Sequence, residues 1–210
     1  MAIKKKHISP RQKMINLMYV VLMAMLALNI SSEVLNGFSI VEESLNRTTA
    51  NSSKENEVLY GNFAEQMKKN PQKVKEWFEK ATAVKRMSDS LYNFAQALKV
   101  QIVREADGKD GNIYDIKSKD NLEAASHVML APGTGQGKKL YDAINNFRER
   151  ILKMVPDQHQ RDIIESNLTT KVPKNANTLG KNWQEYMFED MPVAAAVTLL
   201  SKLQSDVRYA

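Results

Sequence analysis

No cysteine occurs among the 210 residues. This excludes disulfides, thiolate metal sites and cysteine nucleophiles together, and it remains compatible with an oxidising compartment. Glycine and proline are scarce, at 8 and 6, too few for the many tight turns of an all-β chain. Catalytic signatures are missing too: there is no G-x-S-x-G, H-E-x-x-H or dinucleotide fingerprint. His7, His127 and His159 are scattered, none at metal-ligand spacing to another. Neither an enzymatic activity nor a metal or cofactor is expected. Acidic residues are absent from the start of the chain, where none precedes Glu33.

What fills that acid-free start organises the rest. Met14 to Ser32, MINLMYVVLMAMLALNISS, carries no charge. As a helix it would span about 28 Å, close to the ~30 Å hydrocarbon core of a bilayer. Lys4, Lys5, Lys6, Arg11 and Lys13 flank it on one side only, so the basic arm should stay in the cytoplasm and the remainder cross. Without those five cations the Lys and Arg residues and the 24 acids nearly balance, so the net charge of +6 belongs to the arm and does not point to nucleic acid. A cleaved signal peptide fits less well, because the apolar run exceeds a usual h-region and Ala24 and Ala27 stand three apart where an A-x-A site needs two.

Residues 1–13 therefore read as a cytoplasmic basic tail, 14–35 as a transmembrane helix and 36–210 as a periplasmic helical domain. Ser9 and Pro10 form an N-cap and first helical position, so the helix starts before the apolar run. On its wheel Arg11, Tyr19 and Asn29 share a sector of about 80°, with Asn16 about 60° beyond Tyr19. Two accounts of this polar edge stay open. Tyr19 and the asparagines could simply bond neighbouring helices while Arg11 anchors the interface, or Arg11 could belong to an ion pathway.

The rest reads as helices. Apolar spacing at Val34, Leu35, Phe38, Val41 and Leu45 predicts that the membrane helix runs on outward. Thr48 to Ser53 reads as a polar break, with Ser52-x-x-Glu55 capping a second helix to about Lys69. Pro71 opens a third to about Ala106, with one stripe of Val74, Phe78, Ala81, Val84, Met87, Leu91, Phe94, Leu98 and Ile102. At about 54 Å it demands long partners, hence an elongated bundle. Asp107 to Asp115 ends it with turns and a short hairpin, and Lys109 spoils any EF-hand likeness. Ala131 to Lys139 imitates a phosphate loop but has Pro132 and Lys139 where glycine and Ser/Thr are required, so a flexible loop leading into a helix over Lys138 to Met154 is expected. Asp157-x-x-Gln160 caps another helix, Thr169 to Lys181 is a polar linker, and Pro192 opens a last helix with an apolar face of Val193, Val197, Leu200, Leu203 and Val207. That helix is still amphipathic at Ala210, and the chain is expected to be part of a longer one. The sequons at Asn46, Asn51 and Asn167 are expected by chance in an Asn-rich sequence.

Two stretches carry a resemblance: Ser9 to Asn29, SPRQKMINLMYVVLMAMLALN, and Met191 to Gln204, MPVAAAVTLLSKLQ. They resemble the GldM/PorM family, the gliding-motility and type IX secretion motor subunit of Bacteroidota. The resemblance implies an all-α architecture, a single N-terminal transmembrane helix followed by an elongated periplasmic helical bundle, with β-rich periplasmic domains beyond. It implies a bacterial inner-membrane location and a homodimer whose membrane helices pass through a ring of a multi-spanning GldL/PorL-like partner. Proton flow through that ring would turn a periplasmic shaft that reaches outer-membrane-associated secretion and gliding components. Arg11 matches the family's arginine, proposed to meet a glutamate of the partner, and Tyr19 matches a neighbouring polar position; Asn16 joins them on the wheel. Membrane lipid is the other expected contact, and nucleic acid is not. A passive signal-anchored scaffold or secretion adaptor is the rival from another class. An anchored enzyme with its catalytic domain beyond Ala210 is a third possibility.

Overall fold

A computed structural model describes residues 9–28, 31–175 and 178–210. Among them the elements are helices α1 (Pro10–Leu28), α2 (Ser32–Lys69), α3 (Pro71–Asp107), α4 (Glu123–Leu130), α5 (Gly137–Met154), α6 (Gln158–Asn167), α7 (Trp183–Phe188) and α8 (Val193–Tyr209). No strand occurs among the described residues; the expected hairpin reduces to one isolated bridge between Asn112 and Asp115. The all-α expectation holds.

α2 and α3 form a long hairpin, at 38 and 37 residues. Their turn follows from Asn70 and Pro71: Pro71 has no N–H to lose at the first helical position and disfavours helical backbone in the residue before it, and Asn70 sits at φ −144°. Lys68 and Lys69 lie at the electronegative end of α2. At the other end of α3, Gly108 adopts φ 88° and its N–H bonds the Arg104 carbonyl. A left-handed residue with no Cβ penalty is what that stop requires.

Two helix boundaries differ from the sequence expectation. α1 is described to Leu28, and α2 begins afresh after Ser31, which sits in extended backbone with its side chain accepting from the Val34 N–H. A serine hydroxyl there satisfies one of the donors that every new helix leaves open. The expected polar break at Thr48 to Ser53 is absent. Thr48 and Thr49 donate their hydroxyls to the Ser44 and Leu45 carbonyls at 3.1 and 2.7 Å, so inside a helix they have no need of another conformation. The Ser52/Glu55 capping box therefore has no helix start to cap.

The core lies at one end of the hairpin. Leu91, Ala95, Leu98, Ile102 and Val103 of α3 pack with Ala124, Ala125 and Met129 of α4, Leu140, Ile144, Phe147 and Ile151 of α5, and the apolar side of α8. α7, with its Asn182/Glu185 capping box, adds Trp183 and Phe188, whose rings meet edge to face at 6.2 Å. α8 corrects the expectation of an amphipathic terminal helix. Besides Val193, Val197, Leu200 and Val207, it buries Ala194, Ala195, Ala196, Thr198, Ser201 and Gln204, because it lies between α2 and α3 and against the body. Small residues on its second face let those helices approach.

The imitation phosphate loop is a packed turn. The Gly135 N–H bonds the Ala131 carbonyl and the Gln136 N–H that of Val128. A Cβ on Gly137 would stand 2.7 Å from the Gln184 Cβ. These glycines permit close approach of chain to chain and cradle nothing. Part of the 169–181 linker is also held, with the Thr170 hydroxyl donating to Asn145 at 2.9 Å.

Candidate functional site

The residues expected to carry function lie on α1. Ser9 caps it, accepting the Gln12 N–H on its hydroxyl at 3.3 Å. Arg11, Asn16 and Tyr19 are all exposed. Asn16 accepts a hydrogen bond from the Gln12 amide at 3.1 Å, so its partner is one turn back along the helix and is neither Arg11 nor Tyr19. Asn29 lies outside the described residues, as do His7 and the three lysines of the arm.

Around this edge the apolar side chains of Leu17, Met18, Val20, Leu22 and Met23 are exposed as well. A helix apolar on most sides and uncovered by its own chain suits lipid or partner helices better than water. Among the described residues, however, no helix is long and apolar enough to cross a membrane. Arg11 and Lys13 occupy the first turn of α1.

A second set of polar residues, not singled out from the sequence, ties the hairpin to α8. Lys99 of α3 is 2 % exposed. Its ammonium stands 3.3 Å from Glu42 of α2 and donates to Ser201 and Gln204 of α8 at 2.8 and 3.4 Å. Ser201 donates to Glu42 in turn at 3.3 Å, and Gln204 to the Tyr92 carbonyl and Gln96. Burial pushes the Lys99 ammonium below its ordinary pKa, and Glu42 opposes that shift. One helix supplies the cation, another the carboxylate and the third the neutral donors and acceptors.

A further layer lies toward the end of α8. Arg208 bonds Asp89 at 2.6 Å and Ser88 at 3.0 Å, and its guanidinium sits 4.5 Å over the Tyr92 ring. Ser88 donates to the Val207 carbonyl, and Asn56 of α2 to that of Arg208. Thr198 makes a third tie, to the Phe38 carbonyl at 3.2 Å. Polar bonds of this kind fix axial register, since each donor has one acceptor at one height, whereas apolar faces slide at little cost. The seam makes α2, α3 and α8 a single strut starting directly after α1.

Among the described residues no group of His, Asp and Glu could hold a metal ion. His127 lies 2.7 Å from Glu105 in an exposed pair, and His159 is exposed on α6. The signal for the missed seam was present in the sequence: Lys99, Ser201 and Gln204 fall at helical spacing among apolar residues, where a charge or amide must find a partner.

Comparison with known proteins adds one match. A family model described as the GldM N-terminal domain covers residues 33–210, the whole chain from the first turn of α2 onward. Among curated proteins nothing matches.

Proposed function

Since the chain belongs to the GldM family, of gliding motility and type IX secretion, we propose that it is the inner-membrane motor subunit of that machinery. It acts as a homodimer, N-termini in the cytoplasm and bulk in the periplasm, with the two Met14–Ser32 segments inside a ring of a multi-spanning GldL/PorL-like partner. The observation that carries this reading is the junction at residues 31–33. An uncovered apolar helix with a basic start gives way there to a family domain whose first helix is bonded into a rigid strut.

In this reading Arg11 meets a carboxylate of the ring. A guanidinium stays charged at any physiological pH and favours an ionised partner, so protonating that carboxylate dissolves the pair. Each proton entering the ring can deliver about 2.3 kcal/mol per 100 mV of membrane potential. Tyr19 and Asn16 extend the contact edge along α1. A turn imposed on α1 passes through Ser31 into α2, and Glu42, Asn56 and the Phe38 carbonyl hand it to α3 and α8. Outer-membrane-associated components then receive it from the far end.

The test is co-purification from membranes with the neighbouring multi-spanning protein, for wild type and Arg11→Ala, with native mass giving subunit ratios. Two copies of this chain within several partner copies are expected for both forms, with secretion and motility lost only in the variant. Recovery of the chain alone, or wild-type transport with Arg11→Ala, would leave a passive anchored scaffold.

A further inference from the structure

α3 and α5 leave a groove of about 500 Å³ between them. It lies away from α8. The residues through which α3 meets α8 are Ser88, Tyr92, Gln96 and Lys99. At 3.6 residues per turn, the groove residues Ala83, Met87, Ser90 and Phe94 fall on roughly the opposite side of that helix. The floor is apolar, made by Met87, Leu91 and Phe94 of α3 with Phe147 of α5. Ala83 on one wall and Ala143 on the other are too short to close it.

Four polar side chains complete the lining: Arg86 and Ser90 from α3, Asn146 and Arg150 from α5. All four are exposed, and none has a hydrogen bond or ion pair among the described residues. Other arginines of the body do find partners, Arg148 in the Leu168 carbonyl and Asn145 and Arg208 in Asp89. No carboxylate lines the groove. Asp89, three residues on from Arg86, is engaged by Arg208 at 2.6 Å, and Glu149, beside Arg150 in sequence, is not part of the wall.

The complement of this lining is a pair of carboxylates with an aliphatic or aromatic side chain between them. A guanidinium's planar fork matches the two oxygens of a carboxylate, and the apolar floor offers a bare inorganic anion nothing to bury. Ser88 and Asn56 both bond the last turn of α8, so the groove is level with a point about 38 Å along α2 from Ser31. That places it far from any lipid around α1.

We propose that the α3/α5 groove is a docking site for an acidic segment of a partner protein, in which two carboxylate side chains flanking an apolar one meet Arg86 and Arg150. The proposal is independent of how α1 couples to a membrane ring, which Arg11→Ala reads separately.

The test uses the product of the chain's own gene in nanodiscs of neutral lipid, with any residues beyond Ala210 present, and a fluorescent peptide carrying Leu and Phe between two pairs of Glu. Anisotropy should show saturable binding, weakened at least about tenfold when Gln replaces Glu or when Ser replaces Leu and Phe. Arg86→Glu and Arg150→Glu change exposed side chains, so helix content by circular dichroism should stay the same while each weakens binding about tenfold or more. A peptide with Lys in place of Glu should bind the double variant better than the wild type, a reversal that loss of structure would not give. Equal binding of the Glu and Gln peptides would overturn the proposal, as would full binding to the double variant. So would displacement of the peptide, at constant ionic strength, by inorganic phosphate or by vesicles of anionic lipid. Binding to residues 1–210 that is absent from the gene's own product would assign the groove to the chain itself, and a fall in native mass to the monomer on adding peptide would assign it to a second copy; either overturns the partner.

Discussion

The two halves of α3 have the same apolar rhythm and different fates. From Ser88 to Val103 its stripe is buried against α8, α4 and α5, whereas from Val74 to Met87 the stripe is only half covered. Helix propensity and periodicity do not separate them, because each presents an apolar or small residue at every third or fourth position. The difference among the described residues is the neighbour: α8, α4 and α5 lie over one half. Periodicity therefore specifies which face of a helix wants cover, and tertiary context decides whether this chain supplies it. In the body the stripe holds the fold together.

The sharpest way to break this contrast is to truncate one leucine in the body and one near the tip of the α2/α3 hairpin. Leu98→Ala removes a fully buried group and is expected to cost about 2–5 kcal/mol, whereas Leu59→Ala, more than half exposed, should cost under about 0.5 kcal/mol. Urea unfolding followed by circular dichroism reads both. Equal losses would mean that the tip is as tightly built as the body.

Next in size is the polar seam. Glu42→Leu leaves the buried Lys99 ammonium without its carboxylate and should cost about 3 kcal/mol. Adding Lys99→Met removes the stranded charge, and the double variant should recover most of the loss. Lys99 has its pKa depressed by burial, so the folded chain gives up that proton before the unfolded chain does. Between the lowered value and the ordinary 10.5 the wild type should gain stability as pH rises, a slope the double variant should lack. If the double variant is no better than the single, the seam acts through something other than this pair.

Much of the body was legible in the sequence and the seam was not, for physical reasons. The start of α3 could be read because Asn70-Pro71 is strong local punctuation, and the starts of α6 and α8 for similar reasons at Asp157 and Pro192; α5, expected from Lys138 after the glycine-rich loop, begins at Gly137. The false break at Thr48 to Ser53 arose because Ser, Thr and Asn serve equally as caps or as back-bonding helix residues, and only packing of Thr49 under the body settles which. Lys99 could not be paired with Glu42 from one sequence, because the partners are brought together by the return of α8 between α2 and α3. On α1, residue types and spacing marked Arg11, Asn16 and Tyr19 as one edge, while the Gln12–Asn16 bond depends on rotamers that no wheel gives.

The smallest effect tests whether the two ends of α3 also answer acid differently. At the body end burial would raise the Asp107 pKa, but the Lys117 and Ser118 N–H groups donate to its carboxylate at 2.9 and 2.8 Å, and with the Lys117 charge they hold it below its ordinary 3.8. A depressed carboxylate pKa stabilises the fold above the ordinary value, and the contribution disappears as pH falls through the lowered one. Those bonds pin the 108–118 segment across the end of α3. Acidification below about pH 4 should thus lower the protection of the Lys117 and Ser118 amides, relative to their intrinsic exchange at that pH, while leaving the protection of the amides beside Trp77 unchanged. Asp107→Asn should show the faster exchange already at neutral pH, at a cost of about 1 kcal/mol. Exchange at Lys117 and Ser118 that ignores both acid and the substitution would show that the segment is held by the packing of Ile116 alone.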